Sequence, residues 1–195
     1  MSASNHTPDF ANNFSFLGHT DQGGGRADGC QIMVQDGYAY VAHAFSNGFS
    51  IIDVRDPRNP QPSGYVPTPP GTWSVHLQAA DGLLLVINAK NLFADSEFAV
   101  EEGYYNRSVG STALQAARGY AAGMRVFDIT TPGQPREIGF MPVEGVGLHR
   151  IWYVGGRWAY ASALLDGYTD YIFVTIDLAD PTKPLYNRAI AGDLD

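Results

Sequence analysis

One pattern occurs three times in this chain, and it limits the fold more than any other feature. The copies are Phe49-Ser-Ile-Ile-Asp53-Val-Arg-Asp-Pro57-Arg-Asn-Pro60, Met124-Arg-Val-Phe-Asp128-Ile-Thr-Thr-Pro132-Gly-Gln-Pro135 and Phe173-Val-Thr-Ile-Asp177-Leu-Ala-Asp-Pro181-Thr-Lys-Pro184. In each, an apolar run suits a strand. The Asp ends it, and two prolines three apart stop pairing and force a bend. A residue that recurs with the fold in this way is read as a turn cap, its carboxylate accepting backbone N–H groups, and not as a catalyst.

Upstream of each copy lies a second shared unit of two strands around a tight turn. The turns are Asp36-Gly37, Asp81-Gly82 and Gly155-Gly156, and such dipeptides between apolar runs are the strongest local signal for a hairpin. A fourth short strand follows each proline pair, with Gly64 and Gly139 at equivalent places in the first two. Each repeat therefore supplies four antiparallel strands. Tandem four-stranded units of roughly 40–50 residues are the mark of β-propeller blades.

The expected fold is all-β: three blades at 29–67, 74–143 and 147–191, forming a single partial propeller domain. Asp53 and Asp128 lie 75 positions apart, whereas Asp128 and Asp177 lie 49 apart, so the second blade carries an insertion, assigned to 89–122. Its stretch 111–118 has helix-compatible composition. Residues 14–20 resemble the fourth strand around Gly139 without the three strands that should precede them, and are read as an orphan outer strand. An unclosed ring leaves two blade faces without neighbours, so a second chain or a second copy is expected to complete it.

Composition removes several function classes. Of 195 residues, 12 are Lys or Arg, unclustered, and the formal net charge is -8, so neither nucleic acid nor an anionic membrane surface is an expected partner. The opening residues lack a basic and an apolar region, and no run reaches the roughly 20 apolar residues of a membrane span, so the chain is expected to be cytoplasmic. Cys30 is the single cysteine, which rules out an intrachain disulfide and a thiolate cluster and reads as a small core residue. The glycine run at 23–25 is followed by no Walker or Rossmann pattern and is read as a loop.

The phrases Val41-Ala-His43-Ala-Phe-Ser-Asn-Gly-Phe-Ser-Ile-Ile-Asp53-Val-Arg-Asp-Pro57 and Gly145-Val-Gly-Leu-His149-Arg-Ile-Trp-Tyr resemble bacterial LVIVD-repeat β-propeller proteins. The resemblance runs from about Phe14 to Pro184. It implies a chain corresponding to the N-terminal half of the usual family length, with further channel histidines in the later blades.

The innermost strand of a blade lines the propeller axis. His76 and His149, read as the starts of two inner strands, and His43 and Asn88, read as the ends of two second strands, are expected at one funnel mouth. Imidazoles converging from neighbouring blades offer neutral nitrogen ligands, so His43, His76 and His149 are the candidate ligands of a transition metal ion. The insertion leaves from the same end and is read as a lid. Glu101 and Tyr105 on it, with Arg150, are the candidate catalytic groups; Trp73, Asn88 and Tyr104 are candidate contacts for a small-molecule substrate. The leading reading is a metal-assisted enzyme of small-molecule catabolism, with hydrolase, lyase and oxidase chemistry all open. The alternative is a noncatalytic propeller scaffold for protein–protein interaction.

Overall fold

In the computed structural model, which describes residues 12–91, 120–168 and 170–188, the chain folds as three antiparallel sheets. The first comprises β1 (Gly29–Gln35), β2 (Tyr38–His43), β3 (Gly48–Asp53) and β4 (Gln61–Pro67). The second comprises β5 (Thr72–Trp73), β6 (Leu77–Ala80), β7 (Leu83–Lys90), β8 (Gly123–Asp128) and β9 (Arg136–Pro142). The third comprises β10 (Gly145–Trp152), β11 (Trp158–Leu165), β12 (Ile172–Asp177) and β13 (Leu185–Arg188). Strand order follows chain order in the first and third sheets. In the second, β5 and β6 both pair with β7, so the inner strand is one strand interrupted at residues 74–76.

The repeat controls register. Asp36 and Asp81 have φ of 51° and 50°, and the glycines that follow them 78° and 73°. Both central residues of each turn are thus left-handed, the geometry that matches strand twist in a two-residue hairpin. At the strand ends Asp53, Asp128 and Asp177 accept the backbone N–H two residues on, from Arg55, Thr130 and Ala179. The turn-cap reading of these three residues holds. Each also pairs with an arginine of its own blade: Arg55, Arg136 and Arg157. Gly64 and Gly139 stand opposite Ile51 and Val126, each beside a bulge at the same place in the ladder.

Alternation along each strand gives a blade two apolar faces, one toward each neighbour. Between blades one and two, Tyr40, Ala42, Phe49 and Ile51 pack on Leu77, Leu84, Val86, Phe127 and Ile129. Between blades two and three, Leu85, Ile87, Met124 and Val126 pack on Ala159, Ala161, Ala163, Val174 and Ile176. β7 serves both interfaces, which is why 83–87 reads as an unbroken apolar run and not as alternation.

Several sequence expectations need correction. Residues 14–20 form no strand; a backbone at a sheet edge makes a ladder only if a third strand lies beside it. The insertion begins later than position 89, because Ala89 and Lys90 continue β7 and pair with Trp73 and Thr72. Residues 92–119, with the helix-compatible 111–118, lie outside the described residues, and no helix occurs among the described ones. Cys30 is exposed, not core, because it sits near the start of β1 on the side that no blade covers.

Candidate functional site

The axis-facing edge is built from β1, β6 and β10. Gln31 and His76 occupy equivalent positions, each just before a residue, Ile32 or Leu77, that pairs with a valine of the next strand. In β10 a bulge between Leu148 and Arg150 brings both His149 and Arg150 to that level. His149 is therefore the fifth residue of its inner strand, not the first. Gln31 reaches across the blade boundary: its Oε1 lies 2.9 Å from His76 Nδ1 and accepts the Leu77 N–H at 2.9 Å. An amide oxygen can only accept, so His76 carries its proton on Nδ1. The His76 and His149 rings stand 5.6 Å apart, edge to face, with Tyr171 tilted 5.2 Å from His149.

Burial pushes His76 down to about 4, helped by the neighbouring Arg150 and His149. Burial also lowers His149, with Arg150 adding to it. Both imidazoles are neutral at neutral pH. Beside them a cleft of about 480 Å³ is lined by Gln31, His76, Gln78, Arg150, Trp152, Tyr160 and Phe173, among others.

His43 belongs elsewhere. Its Nδ1 lies 3.1 Å from Asp28 Oδ1 and its Nε2 2.8 Å from Ser50 Oγ, in a fully buried setting. Asp28 Oδ2 also accepts the Phe45 and Ser46 N–H groups, both at 2.6 Å, and its Oδ1 accepts the Ser46 hydroxyl at 2.7 Å. Burial raises Asp28, but the bonds from Ser46 and Phe45 outweigh it and hold the carboxyl at about 2. Burial holds His43 below its ordinary value against the pull of Asp28. The Asp–His–Ser order has the spacing of a hydrolytic triad. Ser50 is fully buried, however, so no substrate reaches its Oγ. The relay instead ties the segment before β1 to blade one. Spacing in the sequence did not reveal it, since Asp28 and Ser50 flank His43 at 15 and 7 residues and meet only through sheet pairing.

The structure thus joins His76, His149 and Arg150 and leaves His43 apart with both nitrogens engaged. The three-histidine donor set does not assemble, and among the described residues no group of three His, Cys, Asp or Glu side chains is placed to hold a metal. Asn88 is buried, its amide donating to the Ala121 carbonyl at the base of the insertion. Trp73 packs in the core between blades two and three. Glu101, Tyr104 and Tyr105 lie outside the described residues. Trp152 is 61% exposed. It sits on the face of blade three that packs against no other blade among the described residues.

That face repeats the aromatic positions of blade one. Counted by ladder register from the capping Asp, Trp158, Tyr160 and Phe173 match Tyr38, Tyr40 and Phe49. The sequence model of the LVIVD repeat matches residues 24–68, the whole of blade one and the segment leading into it. Residues 24–68 are thus similar to the LVIVD repeat. A search of curated proteins finds no match. Among solved structures, the N-terminal domain of Nup159 aligns at 8% identity and a TM-score of 0.29, over 83% of this chain and 47% of that one. This chain spans less than half of that structure, and a likeness of that size carries no argument about fold or function. No helix among the described residues is long and apolar enough to cross a membrane.

Proposed function

We infer that this chain is a noncatalytic propeller scaffold that binds protein through the open face of blade three. One observation carries the reading. Tyr40 and Phe49 are fully buried against blade two, whereas their equivalents Tyr160 and Phe173 are 39% and 55% exposed and stack on each other with centroids 5.9 Å apart. Adjacent Trp152 and Trp158 extend the apolar surface, and contiguous exposed aromatic area of this kind marks protein interfaces. Arg150, at the axial end, adds a charged group able to fix register.

A photo-cross-linking residue placed at position 160 tests this in cells. Discrete protein adducts from position 160, absent when the same residue replaces Thr182 on the outer turn, are expected. Equal or absent adducts at both positions overturn the scaffold.

A second reading rests on the paired imidazoles. His76, its tautomer fixed by Gln31, and His149 offer two neutral nitrogens at the channel, and a transition metal held there would supply Lewis-acid chemistry. Elemental analysis of the His76→Ala/His149→Ala variant separates the two. Metal lost with folding intact supports the enzyme, and metal content that does not change supports the scaffold.

A further inference from the structure

Gln78 is 6% exposed, yet its side-chain amide has no hydrogen-bond partner among the described residues. A polar group buried in this way is unfavourable unless something outside the chain satisfies it. Leu77 and Ala79 on either side of it turn toward blade one, so Gln78 stands on the face of blade two that meets blade three. There it opens into the cleft of about 480 Å³ that His76 and Arg150 also line.

Two further groups in this cleft are unmatched. His76 is 9% exposed, and Gln31 fixes its proton on Nδ1. Its Nε2 therefore carries a lone pair, and no group among the described residues donates to it. Arg150 supplies the charge. Arg55, Arg125, Arg136 and Arg157 each bind a carboxylate, whereas the Arg150 guanidinium has none among the described residues. No Asp or Glu among the described residues lines the cleft, although the chain has 20 of them against 12 Lys and Arg. The guanidinium lies close enough to both imidazoles to add to the effect of burial on them.

These groups state what would satisfy them. The planar fork of a guanidinium matches the two oxygens of a carboxylate. A hydroxyl both donates and accepts, so it can give its proton to His76 Nε2 and take one from the Gln78 amide. Between the two ends the walls include Ile151, Trp152 and Tyr160, flat and apolar surfaces suited to a ring.

We propose that this cleft binds a small hydroxylated aromatic carboxylate, its carboxylate paired with Arg150 and its hydroxyl held by His76 Nε2 and the Gln78 amide. The inference goes beyond the scaffold reading and stands without it. An acidic side chain of a protein partner would bring the same carboxylate, and the two sources differ in the ring and the hydroxyl.

Isothermal titration of the full chain in the presence of a chelator tests this, with 4-hydroxybenzoate as the probe. One molecule should bind per chain. 4-Hydroxybenzamide, which keeps the shape without the charge, and benzoate, which keeps the charge without the hydroxyl, should each bind at least about tenfold more weakly. Arg150→Gln should weaken 4-hydroxybenzoate by a similar factor and Gln78→Leu by a smaller one, with circular dichroism checking that both variants fold. Cys30, the single cysteine, lines the same cleft and reports where the probe sits. Saturating 4-hydroxybenzoate should slow alkylation of Cys30 by iodoacetamide severalfold in the unaltered chain. Absence of saturable binding, binding that is indifferent to the amide or to Arg150→Gln, or an unprotected Cys30 each overturns the proposal. A capped glutamate that binds more tightly than 4-hydroxybenzoate overturns it as well, by assigning Arg150 to the side chain of a protein partner. Adducts at position 160 decide the scaffold reading separately, so the two fail independently.

Discussion

The front faces of blades one and three carry aromatic rings at three matched positions, with Ser162 and Thr175 standing where blade one has Ala42 and Ile51, and they differ sharply in what lies against those rings. Tyr38, Tyr40 and Phe49 meet blade two, where Phe49 and Phe127 stand edge to face at 5.3 Å. Trp158, Tyr160 and Phe173 meet solvent. Strand periodicity specifies a face meant for burial, and only the neighbour decides whether burial occurs.

The largest effect that sharpens this contrast is truncation of the two phenylalanines. Phe49→Ala should destabilise the chain by about 3–5 kcal/mol, and Phe173→Ala by no more than about 1 kcal/mol, measured by urea denaturation. Similar costs for both would mean that the face of blade three is covered in the free protein.

Acid should come next. The folded-state pKa of His76 is about 4, below the ordinary 6.5, so the unfolded chain binds more protons between those values. Stability from this group is complete above about 6.5 and is lost as pH falls toward about 4, by on the order of 2–3 kcal/mol. His43 and His149 are lowered as well and act in the same direction. Asp28 acts later, losing its contribution as pH falls from 3.8 through about 2. Thermal melts from pH 7 to 4 should decline, and His76→Gln should flatten the decline.

A smaller effect separates the two tyrosines. Tyr40→Phe leaves the Pro132 carbonyl without its donor and should cost about 1–2 kcal/mol, while Tyr160→Phe should be near neutral. The smallest concerns surface pairs. Asp177→Asn weakens the exposed bidentate bond with Arg157 and should move the midpoint of the same denaturation assay only slightly.

Blade count, strand order and turn caps were legible in the sequence because each is a local matter: an Asp-Gly pair sets a hairpin and an Asp before a proline pair sets a cap. What the sequence misplaced depends on neighbours. Residues 14–20 have a strand's composition but no partner strand, so they form no ladder. Among the histidines, sequence spacing treated His43, His76 and His149 alike. Asp28 and Ser50 take His43 out of the group, and that relay arises only when β2 pairs with β3 and the chain before β1 folds back. The bulge that brings His149 and Arg150 to one level in β10 has no counterpart in β6 from which it could have been inferred.

The two internal interfaces differ in shape. Aromatic rings from blade one meet leucine, valine and phenylalanine on blade two, whereas leucine, isoleucine and methionine from blade two meet the bare methyl groups of Ala159, Ala161 and Ala163. Exchanging blades two and three would press rings against the wrong relief at one junction and leave gaps at the other. The order of blades is thus written into their surfaces as well as into the chain that links them, so a shuffled or permuted arc would keep its strands and lose its seams.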